Sequence, residues 1–154
     1  MKKDYISIYN DLELYGNNIY RNNLLTKEII GYSTKLKLIN KVVGDKREFK
    51  SIKSQYLKNK NYLVNFLKNN IDTRQCVLRF LDYEKNIYMC ISFLQFIFDS
   101  KKLRVISYWR SCDIKKLKQD VSIVSWILKD LSKSLKIKYC NDIICIFGSL
   151  HKYE

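Results

Sequence analysis

Three strand-like apolar runs between residues 76 and 109 constrain the fold of this chain more than any other feature. Residues 76–83 form the first run, and residues 88–98 form a second that is almost wholly apolar. Such a run is typical of a central strand that is buried on both faces. The polar tetrad at 99–102, Asp-Ser-Lys-Lys, predicts a tight turn into the third run at 103–109. The pattern therefore predicts a β-hairpin whose first strand lies in the middle of a sheet.

Patterns on either side of this hairpin complete the expected fold. Helical spacing predicts one helix over residues 4–15, a second that ends near residue 70, and a third that Asp120 caps. Alternation predicts a strand over 29–39, and a short apolar run predicts a last strand over 143–147. Because strands and helices mix without regular βαβ alternation, we expect an α/β (α+β) fold. Its single mixed, largely antiparallel sheet would be covered by helices.

Composition indicates one globular domain. The chain has 154 residues, 47% of them apolar, with no proline and 4 glycines, so no flexible linker divides it. We therefore expect residues 1–154 to form a single domain. No apolar run reaches the length of a membrane span, and the N-terminal residues lack the apolar region of a signal peptide. These observations predict a soluble cytoplasmic protein that does not bind a membrane.

The cysteines and the histidine argue against a metal site. The five cysteines are an odd number, no two of them form a Cys-x-x-Cys pair, and His151 is the only histidine. We therefore expect no bound metal. Cys76, Cys140 and Cys145 lie in apolar runs, where a thiol usually serves as a small buried hydrophobe.

The formal net charge of +14 predicts an anionic ligand. Lysine supplies most of the charge and is spread along the chain, without an arginine-rich tract. Nucleic acid is therefore a possible partner but not the favoured one. The most basic stretch, residues 45–61, is only weakly periodic, and we expect the second helix to follow it.

Two fragments of the sequence combine a candidate nucleophile, Cys90, with an arginine and several other polar side chains. The hairpin would set Cys90 opposite Arg110 on adjacent strands. A nearby guanidinium binds phosphate and lowers the pKa of a thiol. The spacing Cys-x4-Gln, then Arg-Ser-x-Asp, then a C-terminal His-x-Tyr involves Cys90, Gln95, Arg110, Ser111, Asp113, His151 and Tyr153.

This spacing resembles the nucleotide pocket of the thymidylate synthase and pyrimidine nucleotide hydroxymethylase superfamily. The resemblance implies a thymidylate-synthase-like fold and a methyl- or hydroxymethyltransferase that acts on C5 of a pyrimidine nucleoside monophosphate. Cys90 would add covalently to C6 of the base, and methylene-tetrahydrofolate would donate the one-carbon group. The resemblance also implies a homodimer.

The resemblance implies a role for each site residue. Arg21, Arg110 and Ser111 would bind the phosphate, and Arg74 would reach the phosphate in the site of the partner subunit. His151 and Tyr153 would bind the ribose. Gln95, Asp113 and Asp120 would surround the base, with Asp120 or Val121 at the position of the family's base-reading asparagine.

Several departures from the family pattern leave two alternatives open. Met89-Cys90-Ile91 stands where the family has Pro-Cys-His, and residues 40–72 contain no counterpart of the helix that carries the catalytic glutamate and a folate-stacking tryptophan. Glu48 is the acidic residue there that could substitute. The chain could therefore be a catalytically inactive nucleotide-binding relative, and a second alternative is a basic nucleic-acid-binding protein. Neither the preferred base nor the preferred sugar follows from the sequence.

Overall fold

The computed structural model describes residues 3–21, 23–41, 46–82 and 87–153. In these ranges the chain forms three helices and seven strands. The helices are α1 (Tyr5–Tyr15), α2 (Lys46–Asn69) and α3 (Leu117–Leu135). The strands are β1 (Asn17–Arg21), β2 (Leu24–Lys37), β3 (Cys76–Asp82), β4 (Ile87–Asp99), β5 (Lys102–Trp109), β6 (Cys112–Asp113) and β7 (Asp142–Tyr153).

The strands form one open and mostly antiparallel sheet. Their order is β1-β2-β7-β5-β4-β3, and β6 pairs with β7 beside this path. β7 runs parallel to β5 and β6, whereas the other neighbours are antiparallel. The predicted mixed α+β architecture with a single, largely antiparallel sheet is confirmed.

The predicted hairpin is formed by β4 and β5. Asp99 pairs with Lys102, and the two turn residues between them, Ser100 and Lys101, adopt positive φ angles of 51° and 66°. Two successive residues with a left-handed backbone conformation give the turn a twist that matches the right-handed twist of the flanking strands. The turn therefore fixes the register of the two strands from Asp99 back to Phe93, and the pairing shifts by one residue before Ile91.

The helices bury their apolar stripes in one continuous core with the sheet. α3 contributes Val124, Ile127, Leu128 and Leu131 to this core. The residues of β5 that are buried in the same core are Leu103, Val105 and Trp109. The alternate β5 residues Arg104, Ile106 and Tyr108 are only half-buried. The opposite face of the sheet is therefore less well covered than the helical face.

Helix α2 is longer than predicted. It spans 24 residues and includes most of the basic stretch that we expected to precede it. Its buried apolar residues Ile52, Tyr56, Leu63 and Leu67 lie at intervals of four, seven and four. The lysines between them conceal this spacing in the sequence, because they occupy the solvent face of the same helix.

The expected central strand is not central. β4 lies next to β3, which is the edge strand, and the middle of the sheet is formed by β7 and β5. On β4 the residues Ile91, Leu94 and Phe96 are buried, whereas Phe93 and Gln95 are half-buried. A strand that is buried on both faces has a continuous apolar run, and so does a strand with one apolar face left uncovered. The sequence pattern therefore does not distinguish these two kinds of strand. Tyr83, the expected end of the preceding strand, lies outside the described residues.

Two further boundaries differ from the prediction. Asp120 does not cap α3, because the helix begins three residues earlier, with Lys116 at the N-cap position and no side-chain cap. The last strand does not end at residue 147 but continues to Tyr153, so His151 and Tyr153 are strand residues. No helix in the described part of the chain is long and apolar enough to cross a membrane.

Candidate functional site

Cys90 and Arg110 lie opposite one another where β4 begins and β5 ends. The backbone N–H of Arg110 donates to the carbonyl of Cys90 over 2.9 Å, so the predicted cross-strand pairing is found. A β-bulge at Ser92 follows immediately, because Ile91 pairs with Trp109 and Phe93 with Tyr108. Bulges re-aim the side chains beside them and are frequent next to active sites.

Cys90 is the exposed cysteine of this chain, all five of whose cysteines are described. Cys76, Cys112, Cys140 and Cys145 are buried. Burial raises the pKa of the Cys76 thiol to about 11 and that of Cys145 well above its usual range. Burial and the neighbouring Asp120 carboxylate raise the pKa of Cys112 in the same way. A thiol with a raised pKa is largely protonated at neutral pH and therefore a poor nucleophile.

A cavity of about 340 Å³ opens beside Arg110. Two arginines, two hydroxyl-bearing serines and the His-x-Tyr pair contribute to its walls, so it offers several donors to an anion. Its lining residues are Arg21, Thr26, Glu28, Arg110, Ser111, Ser149, His151 and Tyr153.

A second cavity, of about 160 Å³, shares three lining residues with the first and is lined by Cys90. Both cavities are lined by Ser111, His151 and Tyr153, and we call the two together the cleft. The other lining residues of the smaller cavity are Cys90, Cys112, Asp113, Lys116 and Asp120.

Eight of the ten predicted site residues line the cleft. Strands β1, β4, β6 and β7, the end of β5 and the first turn of α3 bring them together from distant parts of the sequence. The eight are Cys90, Arg21, Arg110, Ser111, Asp113, Asp120, His151 and Tyr153.

Arg74 and Gln95 lie elsewhere. They line a separate cavity of about 650 Å³ on the side of Phe98 and Ile106. The Gln95 side chain donates to the carbonyl of Arg74 over 2.6 Å and lies 3.4 Å from the hydroxyl of Tyr108. Within one chain, neither residue takes part in the group around Cys90.

The two predicted acidic residues of the cleft also have structural partners. Asp113 accepts a hydrogen bond of 2.9 Å from the backbone N–H of Lys115, which fits the turn role that an aspartate can take before a helix. Asp120 is buried and lies 3.8 Å from the Cys112 sulfur. Both carboxylates nevertheless border the space in front of Cys90, where a ligand donor could reach them.

Glu28, Ser149 and Lys116 also line the cleft, although the sequence patterns assign them no role. Glu28 is 5% exposed and forms an ion pair of 3.0 Å with Arg21. Its burial would raise the carboxyl pKa, but hydrogen bonds from Ser149 and Arg21 outweigh this effect and lower it. The sequence signal that could identify Glu28 is a carboxylate at a position of an alternating strand that points toward the protein interior.

Gly148 allows β7 to pass close to Arg110. A Cβ atom at this position would lie 2.8 Å from the carbonyl oxygen of Arg110 and 3.5 Å from that of Trp109. A glycine is therefore required here by the close approach of two backbones, and this approach sets Arg110 against the strand that carries His151.

No protein-family model matches this chain, and a search of the curated proteins finds no match. The resemblance to the thymidylate synthase superfamily therefore stays a prediction from the sequence motifs.

Proposed function

We propose that the protein binds a pyrimidine nucleoside 5′-monophosphate and that Cys90 adds to C6 of the base, as in a C5 methyl- or hydroxymethyltransferase. One observation carries this proposal: the exposed thiol among five cysteines borders a cleft that holds two arginines and the His-x-Tyr pair. The other cysteines are buried, which makes a second nucleophile unfavourable.

The larger cavity suits the phosphate and the sugar. Arg110 and Arg21 would supply charge-assisted hydrogen bonds to the phosphate, with the hydroxyl of Ser111 as a neutral donor. His151 and Tyr153 would bind the sugar, because they border both cavities and so stand between phosphate and base. The smaller cavity would then receive the pyrimidine ring beside Cys90, and the Asp120 carboxylate in its lining would accept a hydrogen bond from an exocyclic amino group.

The chemical step requires this chain, the base and solvent water. The Cys90 thiolate forms a bond to C6, and the electron pair of the C5–C6 double bond moves onto C5, in conjugation with the C4 carbonyl of uracil or the C4=N3 bond of cytosine. The resulting carbanion takes a proton, or in D₂O a deuteron, from solvent at C5. Loss of the other C5 proton then restores the double bond and expels the thiolate.

Methylene-tetrahydrofolate, which the family resemblance implies, would supply the one-carbon group. Its pterin needs an apolar platform, and the rings in the described lining of the cleft are those of His151 and Tyr153, both assigned to the sugar. Trp109 is buried in the core, and Trp126 packs against Phe49 and Tyr56. The cleft of a single chain therefore does not fit a folate, and the side chain of Glu48 lies outside the described residues.

This misfit favours a second candidate function. A protein that binds the nucleotide, and even adds to it, without transferring a carbon unit would need the cleft but no folate platform. The two candidates share nucleotide binding and differ only in the transfer step.

Exchange of the C5 hydrogen in D₂O tests the shared step without any folate. The protein is incubated with dUMP, dCMP, UMP or CMP, and the H5 signal is followed by proton NMR. We expect it to disappear with at least one nucleotide, to persist with Cys90→Ser, and to disappear normally with Cys140→Ser, since Cys140 lines neither cavity of the cleft. Retained H5 signals with all four nucleotides would refute Cys90 addition. If exchange occurs, mass spectrometry of the product formed with added methylene-tetrahydrofolate separates transferase from binding protein.

A further inference from the structure

A continuous chain of hydrogen bonds runs beneath the cleft from Arg21 to His151. The guanidinium of Arg21 donates to one carboxylate oxygen of Glu28 over 3.0 Å. The other oxygen accepts from the hydroxyl of Ser149, and that hydroxyl oxygen lies 3.3 Å from Nδ1 of His151. β1, β2 and β7 are neighbouring strands, and Glu28 and His151 are direct cross-strand partners.

The donors and acceptors in this chain fix the tautomer of the histidine. Glu28 is ionised at neutral pH, since its carboxyl pKa is lowered, and it can only accept. Ser149 has one hydroxyl proton and gives it to Glu28, so its oxygen must accept from the histidine. Nδ1 of His151 therefore carries the proton.

Burial lowers the pKa of His151 below its usual value, although Asp113 and Glu28 oppose this effect, so the ring is neutral at pH 7 and above. In a neutral imidazole with a proton on Nδ1, Nε2 is a hydrogen-bond acceptor. No described residue donates to this atom, and the ring borders both cavities of the cleft.

We propose that Glu28 is a positioning residue that acts through Ser149 to hold His151 with Nε2 as an acceptor toward the cleft. The ligand must then present a donor at this point. For the nucleotide of the proposed function, on which this assignment of the ligand rests, that donor is a sugar hydroxyl. Because Glu28 also holds Arg21, one carboxylate positions both a phosphate contact and a sugar contact.

The tautomer itself can be measured, because His151 is the single histidine of the chain. A long-range ¹H–¹⁵N correlation spectrum of protein labelled with ¹⁵N-histidine distinguishes a protonated from an unprotonated ring nitrogen. At pH 7.5 we expect the free wild-type protein to show a protonated Nδ1 and an unprotonated Nε2. The opposite tautomer, which free histidine prefers, would overturn the proposal whether or not a nucleotide binds.

Two variants test whether Glu28 sets the tautomer. In Glu28→Gln the amide oxygen should turn to Arg21 and the amide nitrogen should donate to Ser149, which frees the serine proton for Nδ1 of His151. Ser149→Ala removes the link altogether. We expect both variants to move the proton to Nε2. Glu13→Gln is the matched control, because Glu13 pairs with Lys27 and Lys152 beside the same strand positions but does not line the cleft. An unchanged tautomer in both test variants would refute the role of Glu28.

Nucleotide affinity provides the second readout. Calorimetry with dUMP and with its 3′-O-methyl ether, which keeps the oxygen acceptor but lacks the donor, should show at least tenfold tighter binding of dUMP by the wild type and by Glu13→Gln. The preference should fall below about threefold in Glu28→Gln. An equal preference in wild type and Glu28→Gln would overturn the assignment of the ligand donor. If no nucleotide binds at all, the proposed function fails, while the spectrum still decides the Glu28–Ser149–His151 relationship.

Discussion

At the scale of single residues, Cys90 and Cys112 both border the smaller cavity, but Cys90 is exposed and Cys112 is buried beside Asp120. At neutral pH we expect iodoacetamide to alkylate Cys90 first and a bound nucleotide to slow the reaction. Cys112 and Cys145 should stay unmodified because their raised pKa values keep them as thiols. Mass-mapped peptides after short exposures measure the order.

A pH series sharpens the same experiment. The pKa of Cys76 is raised to about 11, so its thiolate fraction, and with it its labelling rate, should increase tenfold per pH unit until the pH reaches that value. Preferential labelling of Cys140 or Cys145 at pH 7, with Cys90 unmodified, would contradict the assignment of Cys90 as the nucleophile.

At the scale of secondary-structure elements, the contact between β7 and the end of β5 determines where Arg110 lies. Gly148→Ala would place a Cβ atom 2.8 Å from the Arg110 carbonyl, and the two strands must then move apart. We expect a loss of about 1–3 kcal/mol in the free energy of unfolding, as for other steric overpacking. Nucleotide affinity should fall as well, by about tenfold, because Arg110 leaves its position.

Gly31→Ala is the control for this substitution. Gly31 lies on β2, the strand that pairs with β7, and has a φ of +70°. A Cβ atom at this position would have no heavy atom within 4 Å apart from those of the adjacent residues in the chain. Alanine should therefore cost about 1–2 kcal/mol of stability through backbone strain alone. Chemical denaturation and calorimetry on both variants separate the effects. Equal nucleotide affinity in wild type and Gly148→Ala would mean that β7 does not position Arg110.

The elements also show which parts of the site could be predicted from the sequence. The hairpin at Asp99 and Lys102 follows from local turn chemistry and places Cys90 and Arg110 on adjacent strands, whereas the bulge at Ser92 sets their exact pairing. The position of Gln95 did not follow, because it lies five residues further along β4 than Cys90, about 16 Å at the usual rise of a strand, and so reaches a different cavity. The Glu28–Ser149–His151 chain depends on the pairing of β2 with β7, which are more than a hundred residues apart, and no local pattern encodes that register.

At the scale of the whole molecule, the sheet face opposite the helices carries apolar groups that a single chain leaves partly exposed. Val77 is 39% exposed, and Phe93 and Tyr108 stack with ring centroids 4.2 Å apart on half-buried positions. Val77 and Phe93, with Arg79 and Arg110, line an apolar cavity of about 430 Å³ on this face. We propose that a second copy of the chain covers it, since aromatic and aliphatic patches of this kind mark association sites.

Light scattering at micromolar concentration should give twice the chain mass of 18.5 kDa. Phe93→Glu should reduce this to the monomer mass, because the substitution buries a charge in the proposed interface. Lys58→Glu is a control on the exposed side of α2, where a charge change should leave the dimer intact. A monomeric wild-type protein would rule out the interface.

The dimer would also explain why Arg74 lies away from Cys90, and subunit mixing tests this directly. The position of Arg74, in a cavity with Gln95 and outside the cleft of its own chain, fits the prediction that it serves the partner subunit. Arg74→Ala and Cys90→Ser homodimers should each show little exchange of the C5 hydrogen of the nucleotide. Mixed and allowed to exchange subunits, they would form hybrids in which one cleft combines an intact Cys90 with an intact Arg74 from the other chain. Recovery of up to a quarter of the wild-type rate is expected, since half of the dimers are hybrids and each has one complete cleft. If Arg74 instead acted within its own chain, every cleft in the mixture would lack either Arg74 or Cys90, and mixing would restore nothing.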